Sequence, residues 1–200
     1  MILKVSLLIS FSDLSSYRMG IEKTIFRGLY VYTPKVFADD RGYFFESYNE
    51  NIWKADGIDY RFVQDNESQS SRGTIRGLHY QIPPFAQAKL IRVTQGEVLD
   101  VVVDIRPAEE TYGKQYSILL SQENKKQLLI PPGFAHGFVT MSETATFNYK
   151  CTNFYSKEHE FGIYAMDKKL SIDWKIDIEK ALLSEKDKAQ KAFGEHRTFQ

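Results

Sequence analysis

The residues best suited to chemistry are concentrated in one run of six, Arg76-Gly77-Leu78-His79-Tyr80-Gln81. Histidine titrates near neutral pH, so His79 is suited to moving protons as a general base or acid. Regular alternation along a strand would place Arg76 and His79 on opposite faces. Both can line one pocket only if the strand is bulged, and Gly77 is where a bulge is easiest. The plainer alternative is a core histidine with two surface neighbours.

Lys89 is a second candidate, because it is in phase with Ile91 and Val93 on the next run of strand-like sequence. A lysine on an apolar face costs free energy unless it is paired or serves a ligand. A lysine at the end of a strand can instead extend its ammonium group to water. The sequence leaves both interpretations open.

A second histidine, His136, follows a Pro-Pro-Gly turn in the segment 130–138. These residues favour a tight turn that delivers His136 at the start of a strand. Upstream, Gln64 and Asn66 share one face of a strand, and their amides suit hydrogen bonding to a base or a sugar. Capping a turn is the commoner use of an asparagine.

An arginine and a glutamate, Arg41 and Glu46, lie in the turn-containing segment 39–46. Arginine binds phosphate well because its planar guanidinium donates several hydrogen bonds at once. The segment is therefore a candidate for contacting a phosphorylated ligand.

A metal site must be weighed, because small barrels with a histidine on each of two strands often hold a metal. The chain has four histidines, His79, His136, His159 and His196, with no His-x-His pair. No glutamate stands four residues after His79. A site of two histidines and one carboxylate is possible on paper. We nevertheless expect no metal and no other cofactor.

The elements that must position these residues are mostly strands. From about residue 23 to residue 155, short β-rich runs are separated by glycine, proline and polar turns, which is typical of a sandwich or barrel. Alternate residues from Leu99 to Ile105 are apolar. In the run 144–153, alternation places Tyr149 on the apolar face together with Ala145 and Phe147, and this face is expected to point inward.

Helix signals are few. The segment 49–55 predicts one short helix, and the segment 178–192, rich in Glu, Lys, Ala and Leu, predicts another. Ser184 followed by Asp187 is an alternative signal, for a cap inside the second segment.

The composition fits an ordinary globular protein of 200 residues with one sizeable core. Acidic and basic residues balance at 26 each, so no general field attracts nucleic acid or an anionic membrane. The single cysteine, Cys151, cannot form an internal disulfide, and a cytoplasmic location is the simplest interpretation. No motif around it indicates a nucleophile.

The first 18 residues differ from the rest. Residues 5–11 form a short apolar run after Lys4, so a signal peptide must be considered, but residues 12–18 offer no cleavage motif. Met19 then begins a segment that reads like an ordinary protein start. We expect residues 1–18 to be a dispensable extension and residues 19–200 to form a single β-barrel domain.

Several long motifs together resemble one family, the dTDP-4-dehydrorhamnose 3,5-epimerases. The matching runs are 64–81, 88–106, 123–136, 149–152 and 183–187. They occur in order from about Met19 to Asp187, which makes the resemblance far more specific than any single short pattern.

The resemblance implies an all-β, cupin-type jelly-roll barrel with a few short peripheral helices. It implies a homodimer without metal, in which strands cross between subunits, and a dTDP-4-keto-6-deoxy sugar as substrate. It implies that His79 is the general base, held by Asp187, and that Tyr149 is the proton donor. Around the sugar and the developing enolate it places Arg76, Lys89 and His136. As nucleotide and diphosphate contacts it indicates Arg41, Glu46, Gln64, Asn66, Glu160 and Lys186.

The chemistry of these residues agrees independently with an epimerase. Removing a proton beside a ketone needs a base near neutrality, and a carboxylate can orient that base. The enolate oxygen needs cationic donors, which Lys89 and Arg76 can supply. Inversion requires a second group that returns a proton from the opposite face, and Tyr149 fits that role.

Three alternatives remain open. A relative with the same fold could epimerise a single carbon or shift the ketone. A metal-dependent cupin such as a dioxygenase is disfavoured by the histidine count, and a non-catalytic sugar-binding barrel would not need a base, a carboxylate and an opposed tyrosine. One departure from the family is local: the segment 162–168 lacks the family's tryptophan, asparagine and proline. This puts the local loop, and base stacking by it, in doubt.

Overall fold

The computed structural model describes residues 20–200, which fold into two facing β-sheets. The strands, in chain order, are Gly20–Lys23 (β1), Tyr30–Thr33 (β2), Phe37–Asp39 (β3), Gly42–Phe44 (β4), Gln64–Ser71 (β5), Ile75–Gln81 (β6), Lys89–Gln95 (β7), Glu97–Asp104 (β8), Gln115–Ser121 (β9), Gln127–Ile130 (β10), Phe134–Thr140 (β11), Thr144–Cys151 (β12) and Glu160–Gly162 (β13). The α-helices are Glu50–Ala55 (α1) and Glu185–Lys188 (α2). Single 3₁₀ turns cover Lys157–His159, Lys168–Leu170 and Ile178–Lys180.

One sheet has the strand order β1-β2-β10-β7-β12-β5, and the other has the order β13-β6-β11-β8-β9. All neighbouring strands are antiparallel. From β5 to β8, and again from β10 to β12, successive strands alternate between the two sheets. This is the connectivity of a jelly roll, and the predicted all-β, cupin-type fold is confirmed. The remaining two strands, β3 and β4, form a separate hairpin.

The main core lies between the two sheets. Ile91, Leu128 and Phe147 reach it from the six-stranded sheet, and Val102 and Phe138 reach it from the five-stranded sheet. A second core covers the outer face of the five-stranded sheet with residues from the C-terminal third of the chain. Because both of its faces are buried, β8 alternates between two apolar environments rather than between core and solvent.

Strand β8 refines the predicted alternation. Val101 and Val103 face the outer core, as does Leu99, so the apolar phase seen in the sequence points away from the barrel interior. Asp100 is in phase with Val98 and Val102, which belong to the interior core. The polar residue of the pattern therefore lies inside the barrel.

The first predicted helix is confirmed. Helix α1 begins at Glu50, after the side chain of Asn49 accepts a hydrogen bond from the backbone N–H of Asn51. Trp53 on this helix packs against Tyr32 and covers the outer face of the six-stranded sheet.

The second predicted helix, 178–192, is wrong. The backbone N–H of Ile75 donates to the carbonyl of Leu182, and the N–H of Leu182 donates to the carbonyl of Gly73. This pairing with the barrel holds the chain extended before α2, so tertiary contacts override local helix propensity. The alternative signal is confirmed, because the side chain of Ser184 accepts a hydrogen bond from the N–H of Asp187 at 3.1 Å and caps α2.

The bulge predicted at Gly77 is confirmed. In the pairing of β6 with β11, His79 stands opposite His136, but Arg76 stands opposite Phe138, so the register shifts between them. Gly77 has φ +121°, and a Cβ there would lie 2.5 Å from the Cα of Gly137. No residue with a side chain fits at this crossing.

The expected extension, residues 1–18, and Met19 lie outside the described residues, so the division of the chain at Met19 stays a prediction. Within residues 20–200, the longest α-helix has six residues, and no helix is long and apolar enough to cross a membrane.

The replacement Gly77→Ala should destabilise the fold by roughly 3 kcal/mol or more, because it combines an unfavourable backbone conformation with a collision against backbone atoms. Chemical denaturation monitored by circular dichroism measures this loss. Gly57→Ala is the matched control, since Gly57 also has positive φ (+77°) but has nothing within 4 Å of the added carbon. The control should lose only about 1 kcal/mol. Equal losses in the two variants would contradict the close approach at Gly77.

Candidate active site

A cavity of about 530 Å³ opens between the two sheets. Its wall combines charged side chains with an apolar floor, a composition typical of a site for a polar organic ligand. The lining residues are Ser68, Thr74, Ile75, Arg76, His79, Lys89, His136, Gly137, Phe138, Phe147, Tyr149, Leu182, Leu183, Ser184, Lys186 and Asp187. Eleven of these sixteen residues lie on β6, on β11 or in the segment 182–187. Three more, Lys89, Phe147 and Tyr149, face them from β7 and β12.

The bulge at Gly77 brings Arg76 and His79 to the same cavity, as the first hypothesis required. Two hydrogen bonds to β5 fix the guanidinium of Arg76: Nε donates to Ser70 Oγ at 2.8 Å, and Nη2 donates to the carbonyl of Gln69 at 3.2 Å. Arg76 carries no carboxylate partner among the described residues, so its charge is available to an anionic ligand.

His79 is bound to Asp187. Its Nε2 donates to Asp187 Oδ1 at 2.5 Å, and the hydroxyl of Ser184 donates to the other carboxylate oxygen at 2.9 Å. Burial by itself would raise the pKa of Asp187, but the hydrogen bond and the charge of His79, with the Ser184 hydroxyl, bring that pKa below its ordinary value. Asp187 is therefore an anion at neutral pH. It fixes the ring of His79 and leaves Nδ1 free to take a proton.

Lys89 lines the cavity from the facing sheet, so of the two interpretations the structure favours the interior lysine over one that extends to water. Burial lowers the pKa of Lys89, and the negative charges of Glu160 and Asp100 oppose this shift. Among the described residues no carboxylate forms an ion pair with Lys89. Its ammonium group therefore faces the cavity as a donor without a close partner.

His136 also has a carboxylate partner. Its Nε2 donates to Asp100 Oδ2 at 2.8 Å, and its ring lies nearly parallel to that of Phe147. His136 is 8% exposed and Asp100 is fully buried. The turn predicted before His136 does deliver it at the start of β11, directly across from His79.

Tyr149 reaches the cavity from β12, and its predicted inward orientation is confirmed. It faces His79 from the opposite sheet. Burial raises the pKa of the Tyr149 hydroxyl, and the nearby positive charge of Arg76 opposes the shift only in part. The hydroxyl therefore keeps its proton at neutral pH and is suited to donate it.

A set of hydrogen-bonded polar residues extends the site outward from His79 and Asp187. The ammonium group of Lys186 donates to Glu160 at 2.6 Å, and the hydroxyl of Tyr155 donates to the same carboxylate oxygen at 2.8 Å. The backbone N–H of Tyr155 donates to Gln64 Oε1 at 3.2 Å, and Gln64 in turn donates to Asn66 Oδ1 at 2.9 Å. Tyr155 thus joins the predicted amides to the predicted ion pair.

Two predicted residues, Arg41 and Glu46, do not line the cavity of their own chain. Arg41 lies at the turn of the β3–β4 hairpin, where it pairs with Asp39 at 2.5 Å and its side chain is 90% exposed. Glu46 follows the hairpin and accepts a hydrogen bond from Asn49 at 3.0 Å. A single chain does not bring Arg41 and Glu46 close to the other ten predicted site residues.

The segment that departs from the family pattern lies away from the cavity. Ala165 is buried in the outer core, and its carbonyl accepts a hydrogen bond from the indole N–H of Trp174 at 3.0 Å. None of the residues 164–168 lines the cavity. The departure therefore alters packing behind the five-stranded sheet and leaves the cavity wall intact.

Sequence reasoning missed three residues of the site: Asp100, Tyr155 and Ser184 as a ligand of Asp187. Asp100 carries a signal in the sequence, because an aspartate within a mostly apolar strand needs a polar partner if it is buried. The sequence indicates Ser184 only as a helix cap, whereas its hydroxyl also donates to the carboxylate of Asp187. No group of three His, Cys, Asp or Glu residues in the described part of the chain is arranged to hold a metal ion.

Comparison with known proteins gives a consistent result. A family model described as dTDP-4-dehydrorhamnose 3,5-epimerase matches residues 23–195. The protein of that name from Pseudomonas aeruginosa is 52% identical over 170 residues, which are 84% of this chain and 93% of the relative. The crystal structure of the same enzyme from Elizabethkingia anophelis has a TM-score of 0.84 and 51% identity, and covers 89% of this chain and 98% of that one. A dTDP-6-deoxy-D-glucose-3,5-epimerase from Legionella pneumophila, solved with dTDP-4-keto-L-rhamnose, has a TM-score of 0.84 and 46% identity, with coverages of 89% and 94%.

Replacing Asp187 with Asn should make the loss of stability depend on pH. Because the pKa of Asp187 is lower in the folded protein, its ionised form adds stability that is fully present above the unfolded pKa of about 3.9 and is lost as pH falls through the folded value. The difference in unfolding free energy between wild type and variant should therefore be constant above about pH 5 and shrink below about pH 4.

Urea denaturation at a series of pH values measures this difference. Glu185→Gln is the control, since Glu185 is an exposed carboxylate of the same helix, and its only ion pair within residues 20–200 is with Lys188 on the surface. It should change stability little at any pH. A difference for Asp187→Asn that stays constant down to pH 2 would contradict the linkage.

Proposed function

The chain belongs to the dTDP-4-dehydrorhamnose 3,5-epimerase family, and from this premise we propose that it inverts carbons 3 and 5 of dTDP-4-dehydro-6-deoxy-glucose in the formation of dTDP-rhamnose. It is a sugar-nucleotide epimerase, and therefore an isomerase. The observation that carries the proposal is the opposition of His79, bound to Asp187, and Tyr149 across one cavity.

The first step is removal of a proton from a carbon next to the ketone. His79 acts as the base through Nδ1, because its Nε2 is engaged by Asp187. As the ring takes the proton it becomes a cation, and the neighbouring carboxylate stabilises that charge. The electron pair of the broken C–H bond forms a double bond to the ketone carbon, and the π pair of the carbonyl moves onto its oxygen, which gives an enolate.

The enolate oxygen is stabilised by the cationic side of the cavity. Lys89, Arg76 and His136 line this side, and all three can donate hydrogen bonds. In a cavity screened from water, such donors stabilise the negative charge that develops on oxygen more strongly than they stabilise the ketone. They are groups that accelerate the reaction rather than merely bind the substrate.

The second step returns a proton from the other face. Tyr149 donates its phenolic proton to the carbon, which completes the inversion, and the resulting phenolate and the charged His79 then exchange protons with solvent. Burial raises the pKa of Tyr149, so its hydroxyl is protonated again before the next turnover. The same sequence repeated at the second carbon gives the 3,5-epimerised product, since both carbons flank the same ketone.

The nucleotide is bound outside the catalytic cluster. Gln64, Asn66 and the linked pair of Glu160 and Lys186 supply amide, carboxylate and ammonium groups at the edge of the cavity. Arg41 and Glu46 act in the cavity of a second subunit of a homodimer. The exposed aromatic residues of their hairpin, Phe37, Tyr43 and Phe44, support this role, because they are 53–66% exposed in the isolated chain. The enzyme needs no cofactor in this scheme, and a cytoplasmic location stays a prediction.

Deuterium exchange should separate the base from the acid. With the 4-keto sugar nucleotide in heavy water, His79→Ala should abolish deuterium uptake at both carbons, a loss of roughly 100- to 10,000-fold. Tyr149→Phe should impair inversion more than exchange, because His79 can still form the enolate and return a proton to the original face. NMR locates the deuterium at each carbon.

Tyr116→Phe is the control for the tyrosine, since Tyr116 packs against the same core but does not line the cavity. It should behave as wild type. Exchange that continues in His79→Ala and stops in Tyr149→Phe would reverse the two roles. Uptake at one carbon only in the wild type would indicate a single-carbon epimerase.

The homodimer can be tested through Arg41. Arg41→Ala should raise KM with little change in kcat, because a diphosphate contact is nearly equal in the ground and transition states. Arg61→Ala, at another exposed arginine, should have no effect. Light scattering should report twice the 23.2 kDa chain mass.

Mixing Arg41→Ala with His79→Ala chains gives a sharper result. If Arg41 serves the neighbouring cavity, each mixed dimer contains one intact site and activity at low substrate concentration recovers. A fully active monomer, or no recovery after mixing, would contradict the proposed exchange between subunits.

A further inference from the structure

The cavity contains a second histidine–aspartate pair that the proposed proton transfers do not use. His136 and His79 stand opposite each other on β11 and β6, and each engages a buried carboxylate through Nε2. Asp187 reaches His79 from the C-terminal segment, whereas Asp100 reaches His136 from β8, the strand on the other side of β11. The two imidazole rings are therefore held in the same manner from opposite directions.

Asp100 is placed at a cost to stability. It is fully buried, and its second carboxylate oxygen, Oδ1, has no hydrogen-bond partner among the described residues. An incompletely paired carboxylate in a protein interior typically costs several kcal/mol. Val98 and Val102 occupy the neighbouring inward positions of β8, so an apolar residue would satisfy the packing at this point. Packing therefore gives no reason for an aspartate.

The charges around Asp100 give a reason. Burial raises the pKa of Asp100, and the charges that oppose this shift are those of His136 and Lys89. Both of these side chains line the cavity, and Asp100 itself does not. The carboxylate thus lies behind the cationic wall, where it attracts positive charge onto that wall without touching a ligand.

The orientation of His136 follows from the same contact. Since Nε2 donates to Asp100, Nδ1 is the ring nitrogen left for the cavity. A ring that carries a proton on Nδ1 as well is a cation, and a carboxylate on the far side stabilises that cation. His136 can then donate to an oxygen that is becoming negative.

We infer that Asp100 is a positioning residue of the epimerase reaction, which acts through His136 by orienting its ring and stabilising its positive charge toward the oxygen of the substrate ketone. This inference rests on the proposed function, because it assigns to His136 the oxygen on which the enolate charge develops. That oxygen is shared by enolisation at both neighbouring carbons. Asp100 therefore affects both inversions equally, unlike a residue that serves one carbon.

The test is Asp100→Asn, which keeps the shape of the side chain and removes its charge. We expect kcat to fall about 10- to 100-fold with KM within about twofold, the usual effect of removing a partner behind a functional group. Deuterium uptake at the two carbons should fall together. The melting temperature should stay the same or rise, because a buried carboxylate is replaced by a neutral group.

Thr140→Val is the matched control. The hydroxyl of Thr140 is the other buried side-chain oxygen without a partner among the described residues, and it lies on the same strand as His136 but outside the cavity. Its replacement should also keep or raise the melting temperature, and it should leave kcat unchanged. Asp100→Leu supplies a second variant if the asparagine protein does not fold, since leucine needs no hydrogen-bond partner.

The outcomes separate this inference from the proposed function. An unchanged kcat in Asp100→Asn, together with an inactive His79→Ala, would overturn only the role of Asp100. A fall in kcat that is matched by a fall in melting temperature would also overturn it, since that result describes a structural residue. Full activity in both variants would overturn the proposed function itself. A double variant with His136→Gln should be no slower than His136→Gln alone, because Asp100 acts through that ring.

Discussion

The close crossing of β6 and β11 at two glycines is the constraint on which the rest of the site depends. A side chain on Gly77 would collide with Gly137, and one on Gly137 would come within 2.5 Å of the carbonyl of Arg76. Because neither residue has a side chain, the two strands approach closely enough for the register to shift. The shift turns Arg76 toward the face that already carries His79. One backbone irregularity therefore brings an arginine and the proposed base together on a single wall.

Asp187, the carboxylate partner of His79, is held in place by contacts with residues far from it in sequence. Helix α2 has only four residues, too few to be stable alone. On one side Leu182 is hydrogen-bonded to the chain around Thr74, and on the other the backbone of Lys191 accepts a hydrogen bond from Tyr164. These two attachments place Asp187 against His79. The outer core packs behind the same segments, so the C-terminal third of the chain holds the geometry of the dyad as well as covering the sheet.

The sequence allowed much of this arrangement to be predicted, and the failures have physical causes. The bulge could be foreseen because only glycine tolerates the backbone there, and Tyr149 could be placed inward because alternation is strict along β12. The helix over 178–192 was wrong because pairing of Leu182 with the barrel is a contact between distant residues, which local propensity does not report. Asp100 was missed for a related reason: alternation separates two faces of β8, but it does not tell which face is the interior when both are buried. Arg41 lies outside the cavity of its own chain, and a single sequence does not show which residues a second subunit would contribute to a site.

The two-sheet architecture also accounts for the chemistry that the site can perform. The five-stranded sheet carries the two cavity histidines, His79 and His136, and the six-stranded sheet carries Lys89 and Tyr149. In the proposed reaction, a planar enolate between the sheets presents one face to each, so a proton that leaves toward one sheet can be replaced from the other. Inversion requires this opposition, whereas a base and an acid on the same sheet would return the proton to the face that lost it. The sandwich therefore supplies the stereochemical requirement through its fold. In the proposed reaction, the carboxylates behind His79 and His136 then favour positive charge on these two rings when the proton moves.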